Sequence, residues 1–443
     1  MKRQYFGTDG VRGPVDGPVV NEDFARRLGA AAGAWVGGAG RVLVGRDTRA
    51  SGARLTLAVC QGLASAGLAP VMIDVVPTPA VALAVGQIDA VLGVMVTASH
   101  NPASDNGIKF FQSDGTKLSD GDELAIERLI PASADSVFRT DFPNLHADAV
   151  TLYLSAMTRL LPVNALDGWS IVLDTANGAT CETSSAVLSG MGASLIQIGA
   201  APDGRNINEG VGSEHPEQLA QRVIESGARL GIAHDGDGDR CILCDETGHV
   251  LNGDEILTVL GLYALARQEL PRNTLVVTVQ SNLGVDQALG AAGGKVERTN
   301  VGDRYVAARM RELGAGLGGE SSGHIISSLV GPTGDGLGAA LLVLRVMSET
   351  GEPLSKLRRG LQKFPQATSA IKVAEKRSLD ECDALQGAMR ELSTELGSHG
   401  RLLVRFSGTE AKLRLLVEAS TMADAERGLR QLRDAAVRDL VLV

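Results

Sequence analysis

Between His234 and Arg240 the chain reads HDGDGDR, so that Asp235, Asp237 and Asp239 alternate with glycine. A looping chain of this kind can turn all three acids toward one point, and hard oxygen ligands at that density suit Mg²⁺ or Ca²⁺. Three like charges so close together repel one another unless a cation lies between them. The spacing also resembles an EF-hand calcium loop, with these acids at positions one, three and five and Glu246 at twelve. That reading fails on context. Position six is Arg240 instead of glycine, and the flanks ARLGIA and CILC look like strands where helices are required.

A second group, Thr97-Ala98-Ser99-His100-Asn101-Pro102, follows the apolar run VLGVMV. Strand ends of this type carry the ligand sites of open α/β sheets. A hydrolytic serine needs a base aimed at its hydroxyl and an oxyanion hole, usually on a G-x-S-x-G elbow. The elbow is absent, and neighbours such as Ser99 and His100 point apart in an extended chain. With an acidic metal loop elsewhere, Ser99 reads better as a phosphoryl carrier, a divalent cation neutralising the charge that builds during transfer. In RFSGTE, Arg405 precedes a Ser407-Gly408-Thr409 turn, and Arg414 lies on the far arm of the same expected hairpin. Two arginines beside backbone N–H groups and hydroxyls can form a phosphate clamp; taken alone they read equally as surface arginines of a hairpin. GESSGH, from Gly319, sets Glu320 and Ser322 between glycines, where they can bind sugar hydroxyls; taken alone it reads as a solvent loop.

These loops must be positioned by strands and helices. Three times the chain runs strand, small-residue loop, helix, glycine, strand: RVLVG to APVMIDVV, SIVLD to ASLIQIG, and TLVVTV to KVERT. Each is a βαβ unit with parallel strands. The C-terminal part differs, with RLLVRF and LRLLVEAS forming a hairpin between two helices. The expected fold is therefore α/β, three similar domains with mixed sheets and a smaller C-terminal α+β domain around a central cleft. The divisions are 1–146 with the Ser99 loop, 147–249 with the acidic loop, 250–364 with the GESSGH loop, and 365–443 with the clamp.

Among 443 residues, the five cysteines are too scattered for a disulfide framework, which suggests a reduced, cytoplasmic setting. Cys241 and Cys244 match C-x-x-C but sit in an apolar strand, so core packing is expected. GAGLGG, from Gly314, follows a helical pattern where a dinucleotide site would follow a strand. No Walker A sequence is present. A net charge of −10 argues against a broad nucleic-acid surface. The N-terminal MKRQYFGTDG has no apolar core of a signal peptide, and no apolar run approaches the ~20 residues of a membrane span.

In order along the chain, TASHNP, DGDGDR, GESSGH and RFSGTE make it resemble the phosphohexomutase superfamily. FGTDGVRG, GRDTRASG, NINEGVGSEHPE, VGDRYV and TGDGLGAAL place the resemblance in the amino-sugar branch. It implies interconversion of glucosamine 6-phosphate and glucosamine 1-phosphate, through a phosphoserine and a 1,6-bisphosphate, supplying UDP-N-acetylglucosamine and peptidoglycan. Ser99 would carry the phosphoryl group, and Asp235, Asp237 and Asp239, with a Ser99 phosphate oxygen, would hold one Mg²⁺. Glu320 and Ser322 would read the sugar hydroxyls, and Arg405, Ser407, Gly408, Thr409 and Arg414 would clamp the phosphate that is not reacting. Arg12, His100, Lys109, Arg240 and His324 would line the reacting centre, Lys109 and His100 being the candidates for proton transfer and charge stabilisation. Glucosamine or glucose 1,6-bisphosphate would act as primer, and a homodimer is compatible with the reading. Ala411 and Ser321 stand where relatives often carry proline and glutamine. The alternatives are a sister mutase acting on mannose or glucose phosphates, and a metal-dependent sugar-phosphate receptor without turnover.

Overall fold

The structure, a computed structural model, describes residues 3–7, 9–133, 139–407 and 411–443. Its contacts divide the chain into two compact units, residues 1–278 with 297–360 and residues 279–296 with 361–443.

In the first unit the sheet nearest the N-terminus has the order Val11–Pro14, Asp105–Gln112, Ala90–Val96, Arg41–Arg46, Ala69–Val75. Arg41–Arg46 runs parallel to both of its neighbours, while Asp105–Gln112 returns antiparallel to Ala90–Val96. The expected first βαβ unit is present, its crossover being the helix Gly52–Ser65. That helix packs on Glu22–Val36, which starts at Asn21, whose side chain accepts from Phe24 N at 2.9 Å. The two axes come close because Gly62 has no side chain: a Cβ there would lie 2.0 Å from the Arg26 carbonyl oxygen. Phe24, Leu28, Leu55, Val59 and Leu63 fill the core between these helices and the strands.

The second sheet has the order Val250–Leu251, Cys241–Asp245, Leu230–His234, Ser170–Asp174, Ser194–Ile198. Ser170–Asp174 and Ser194–Ile198 are parallel and joined through the helix Thr183–Gly190, which is the second expected βαβ unit. Leu230–His234 and Cys241–Asp245 pair antiparallel, so the acidic loop is flanked by strands, as its context implied. Cys241 and Cys244 are free and buried in this sheet. Lys295–Thr299, Thr274–Thr278, Leu317–Gly319 and Ile325–Ser327 make the third sheet, in that order. Leu317–Gly319 covers the end of GAGLGG and follows the helix Asp303–Leu313, the order that excludes a dinucleotide turn.

In the second unit, Gln366–Lys372, Lys412–Glu418 and Arg401–Phe406 form an antiparallel sheet packed on the helices Asp383–Leu396 and Met422–Asp439. The helix Leu283–Ala291, the crossover of the third βαβ pattern, clusters with this unit. Glu418, fully buried, explains the attachment. It accepts from Leu283 N at the start of that helix at 3.0 Å and from Gln366 Nε2 at 2.9 Å, while Arg401 donates to the Val279 carbonyl at 3.0 Å.

No helix among the described residues is long and apolar enough to cross a membrane. Replacing Gly62 by alanine is expected to lower the melting temperature measured by calorimetry, since overpacking of this kind costs about 1–3 kcal/mol. An unchanged melting temperature would mean that the helices do not cross at that glycine.

Candidate active site

Ser99, in the loop that follows the strand Ala90–Val96, has a left-handed conformation with φ of 53°. A non-glycine residue there is strained and persists only where its surroundings hold it. Arg49, buried in the first unit, donates to the carbonyls of Ser99 (3.0 Å), Asn101 (2.7 Å) and Asp105 (2.8 Å), and to that of Pro102. Asn208 Nδ2 reaches the Ser99 carbonyl as well, at 2.9 Å. Thr97 Oγ1 accepts from Ser99 N at 2.9 Å and donates to Asp47, which also pairs with Arg49. The left-handed turn corrects one sequence expectation. Ser99 Oγ and His100 Nδ1 do not point apart but lie 3.3 Å from each other.

The same hydroxyl donates to Asp235 Oδ2 at 2.7 Å, joining the serine loop to the acidic loop. Asp235, Asp237 and Asp239 are buried, with one carboxylate oxygen from each lying within 4.8 Å of the others. Burial, followed by repulsion from Asp237 and Asp239, pushes Asp235 well above the usual carboxylate range. For Asp239 burial acts the same way but is outweighed by Lys109 and His324, which hold it well below that range. Asp237 Oδ1 and Asp239 Oδ1 are buried without a hydrogen-bond partner. Three hard carboxylates with uncommitted buried oxygens fit a hard divalent cation.

Around this loop the structure gathers Arg12, His100, Lys109, Arg240 and His324. Lys109 Nζ contacts Asp237 Oδ2 at 2.8 Å, Asp9 Oδ2 at 2.8 Å and Asp239 Oδ2 at 3.4 Å. Burial works against its charge, but these acids win and raise it, so Lys109 is held as a cation. His100 goes the other way: burial, then Arg240 and Arg12, lower it to about 4, leaving a neutral imidazole beside Ser99. Arg12 pairs with Asp9 and donates to the Ala98 carbonyl at 3.2 Å, and Arg240 N donates to Asp235 Oδ1 at 3.2 Å. His324 Nδ1 lies 3.6 Å from Asp239 Oδ1.

Sequence reasoning missed Asp9, Lys117, Asp303, Arg49 and Asn208 as parts of this site. Lys117 Nζ bridges Asp9 Oδ1 (2.7 Å) and Asp303 Oδ2 (2.5 Å). All but Lys117 lie in FGTDGVRG, VGDRYV, GRDTRASG or NINEGVGSEHPE, segments that mark the family branch and in which only Arg12 had been given a role.

Glu320 and Ser322 sit at the turn between Leu317–Gly319 and Ile325–Ser327. Glu320 Oε1 accepts from Gly302 N at 3.0 Å, and burial, then Asp303, raise its carboxyl above the usual value. The clamp residues form a separate group in the second unit. Arg405 and Arg414 are directly paired across the two strands. Burial, followed by Arg414, lowers Arg405, as expected of like charges set opposite one another. Ser407 is buried at the end of its strand, while Gly408 and Thr409 lie outside the described residues.

Four family models match the chain in succession. They are the phosphoglucomutase/phosphomannomutase alpha/beta/alpha domains I (residues 3–136), II (151–248) and III (252–364), and the C-terminal domain (370–435). A phosphoglucosamine mutase of Anaeromyxobacter dehalogenans is 43% identical, the match covering 99% of each chain. The fold is similar to that of a phosphoglucomutase/phosphomannomutase family protein from Burkholderia thailandensis, with TM-score 0.82, 24% identity and 98% of each chain covered. It is also similar to Aspergillus fumigatus N-acetylphosphoglucosamine mutase in complex with GlcNAc-6P and magnesium, with TM-score 0.66, 18% identity, and 98% of this chain and 96% of that one covered.

Asp237→Asn removes one carboxylate from the acidic loop and is expected to weaken Mg²⁺ binding, measured by calorimetry, by at least about 10-fold while circular dichroism stays unchanged. Equal Mg²⁺ affinity in the two proteins would remove the loop from consideration as a metal centre.

Proposed function

Because the chain belongs to the phosphoglucomutase/phosphomannomutase family, we propose that it interconverts glucosamine 6-phosphate and glucosamine 1-phosphate, with Ser99 as the phosphoryl carrier. The observation that carries this reading is the Ser99 hydroxyl, buried and hydrogen-bonded at 2.7 Å to the first of three clustered aspartates. A serine in that position, without a G-x-S-x-G elbow and facing the acidic loop, is well placed for phosphoryl exchange.

Phosphorylated Ser99 would give its phosphoryl group to one hydroxyl of the bound sugar monophosphate. The P–O bond to Ser99 breaks, a P–O bond to the sugar forms, and the proton leaving the sugar hydroxyl ends on Ser99 Oγ. The product is a 1,6-bisphosphate, whose other phosphate then returns to the serine by the reverse exchange. Asp235, Asp237 and Asp239 would hold Mg²⁺, which when bound neutralises charge on the transferring group. Lys109, committed to three acids, serves charge stabilisation and cannot readily give up its proton. His100, neutral and 3.3 Å from Ser99 Oγ, is the better candidate for moving the proton. Glu320 and Ser322 would read sugar hydroxyls. Arg405, Ser407, Gly408, Thr409 and Arg414 would hold the remote phosphate, and one clamp must accept either end of the sugar. Division into domains 1–146, 147–249, 250–364 and 365–443 gives each of these loops its own scaffold. A 1,6-bisphosphate as primer, a homodimer and a cytoplasmic setting complete the proposal.

The decisive experiment is a coupled mutase assay with glucosamine 6-phosphate, run beside glucose and mannose phosphates. Wild-type protein is expected to prefer the amino sugar in kcat/KM and to carry phosphate on the peptide containing Ser99. Ser99→Ala should lose nearly all turnover yet still bind the sugar phosphate. Full activity in that variant would overturn the mechanism.

Arg414→Ala is expected to raise KM more than it lowers kcat, because the remote phosphate is held alike in ground and transition states. An unchanged KM would reduce Arg414 to a surface residue of its hairpin.

A further inference from the structure

We propose that Asp303 is a positioning residue that acts on the reaction through His324, with Lys117 as its counter-charge; the inference rests on the mutase reading of the site. Asp303 opens the helix Asp303–Leu313, and its side chain is only 8% exposed. Its Oδ2 stands 2.5 Å from Lys117 Nζ and 3.2 Å from His324 Nε2. The other nitrogen of that imidazole, Nδ1, faces Asp239 of the acidic loop at 3.6 Å. His324 is thus spanned between two carboxylates, one on each side. The backbone at Gly334 closes a third side, since a Cβ there would lie 2.1 Å from His324 Nε2. The contacts around the ring restrict how the imidazole can turn, and Asp303 is the member of that set without a place in the proposed chemistry.

The position of Asp303 is itself fixed from outside. Arg304, the next residue, makes a two-pronged contact with buried Glu123, 2.7 Å on each oxygen, which ties the start of its helix to the helix Asp120–Arg128. Lys117, which neutralises Asp303, also holds Asp9 at 2.7 Å, and Asp9 in turn holds Lys109 and Arg12. One chain of charge therefore runs from His324 through Asp303, Lys117 and Asp9 to Lys109 and Arg12. A surface ion pair would do nothing of this sort. Loss of a group that orients a reacting-centre side chain costs on the order of 100-fold in rate when the geometry slips by about 1 Å.

The test is a double-mutant cycle on kcat, using glucosamine 6-phosphate and purified full-length protein. Asp303→Asn is expected to lower kcat about 100-fold and to leave KM within about 3-fold. In a His324→Ala background the same substitution should change kcat by less than about 2-fold, because the residue it positions is gone. Lys117→Met should follow Asp303→Asn, and Lys117→Arg should restore most of the rate. If Asp303→Asn fails to fold, the cycle of Lys117→Met with His324→Ala reads the same link. Wild-type kcat in Asp303→Asn, or additive losses in the double variant, would overturn the proposal. If the wild-type enzyme turns over another hexose phosphate and not this one, the substrate reading fails, and the cycle run on the accepted sugar still decides the role of Asp303.

Discussion

Five carboxylates brought together out of water are the constraint on which the first unit depends. Asp235, Asp237 and Asp239 share one loop, with Asp9 and Asp303 in a ring around them. Removing ions from water costs several kcal/mol each unless partners are close and well oriented. The partners are Arg12, Lys109, Lys117 and Arg240, with His324 between two of the acids. No sheet neutralises all of these charges by itself. The acidic loop of the second sheet relies on Lys109 from the first, and Lys117, just beyond the first sheet, relies on Asp303 beside the third. Each apolar core can be satisfied within its own sheet and helices, so hydrophobic burial alone leaves open which loops converge. The charges select among those arrangements, because Asp9, Asp237, Asp239 and Asp303 each meet a lysine from a distant segment.

The strained turn at Ser99 belongs to the same economy of partners. The carbonyl oxygens of Ser99, Asn101, Pro102 and Asp105 turn into the protein and need donors there. Arg49 supplies them from a single guanidinium, with Asn208 assisting from the second domain pattern. Arg49 is buried and itself paired with Asp47, so the loop is held by a neutralised unit instead of a bare charge. The left-handed φ then follows, and with it the convergence of Ser99 Oγ on both Asp235 and His100. Strain is tolerated here because several hydrogen bonds determine the same backbone path.

Arg405 and Arg414 pose the opposite problem. Paired directly across two strands, they repel, and the effect is visible in the lowered Arg405. The repulsion is a cost of the sheet that an anion relieves on binding. In the proposed function such a pair would be set before its ligand arrives, and would recognise phosphate charge rather than sugar shape. That would suit the proposed reaction, whose intermediate presents either end.

What the sequence revealed follows from how local each feature is. The acidic loop, the strands around it, two complete βαβ units and the C-terminal hairpin depend on residues within a few positions, so spacing and apolar periodicity expose them. Lys117 and Asp9 are 108 residues apart, and Lys109 and Asp237 are 128 apart. No spacing rule reaches that far, which is why Asp9, Lys117 and Asp303 stayed invisible as chemistry. The attachment of the helix Leu283–Ala291 to the second unit was hidden for the same reason, since it turns on Glu418, 135 residues from Leu283. A weaker signal was nevertheless present. In FGTDGVRG and VGDRYV an acid and an arginine sit among glycines and apolar residues, a setting that leaves little solvent to receive them. Charges placed where the chain must be buried have to meet partners from elsewhere, and such segments mark the points where separate sheets are joined.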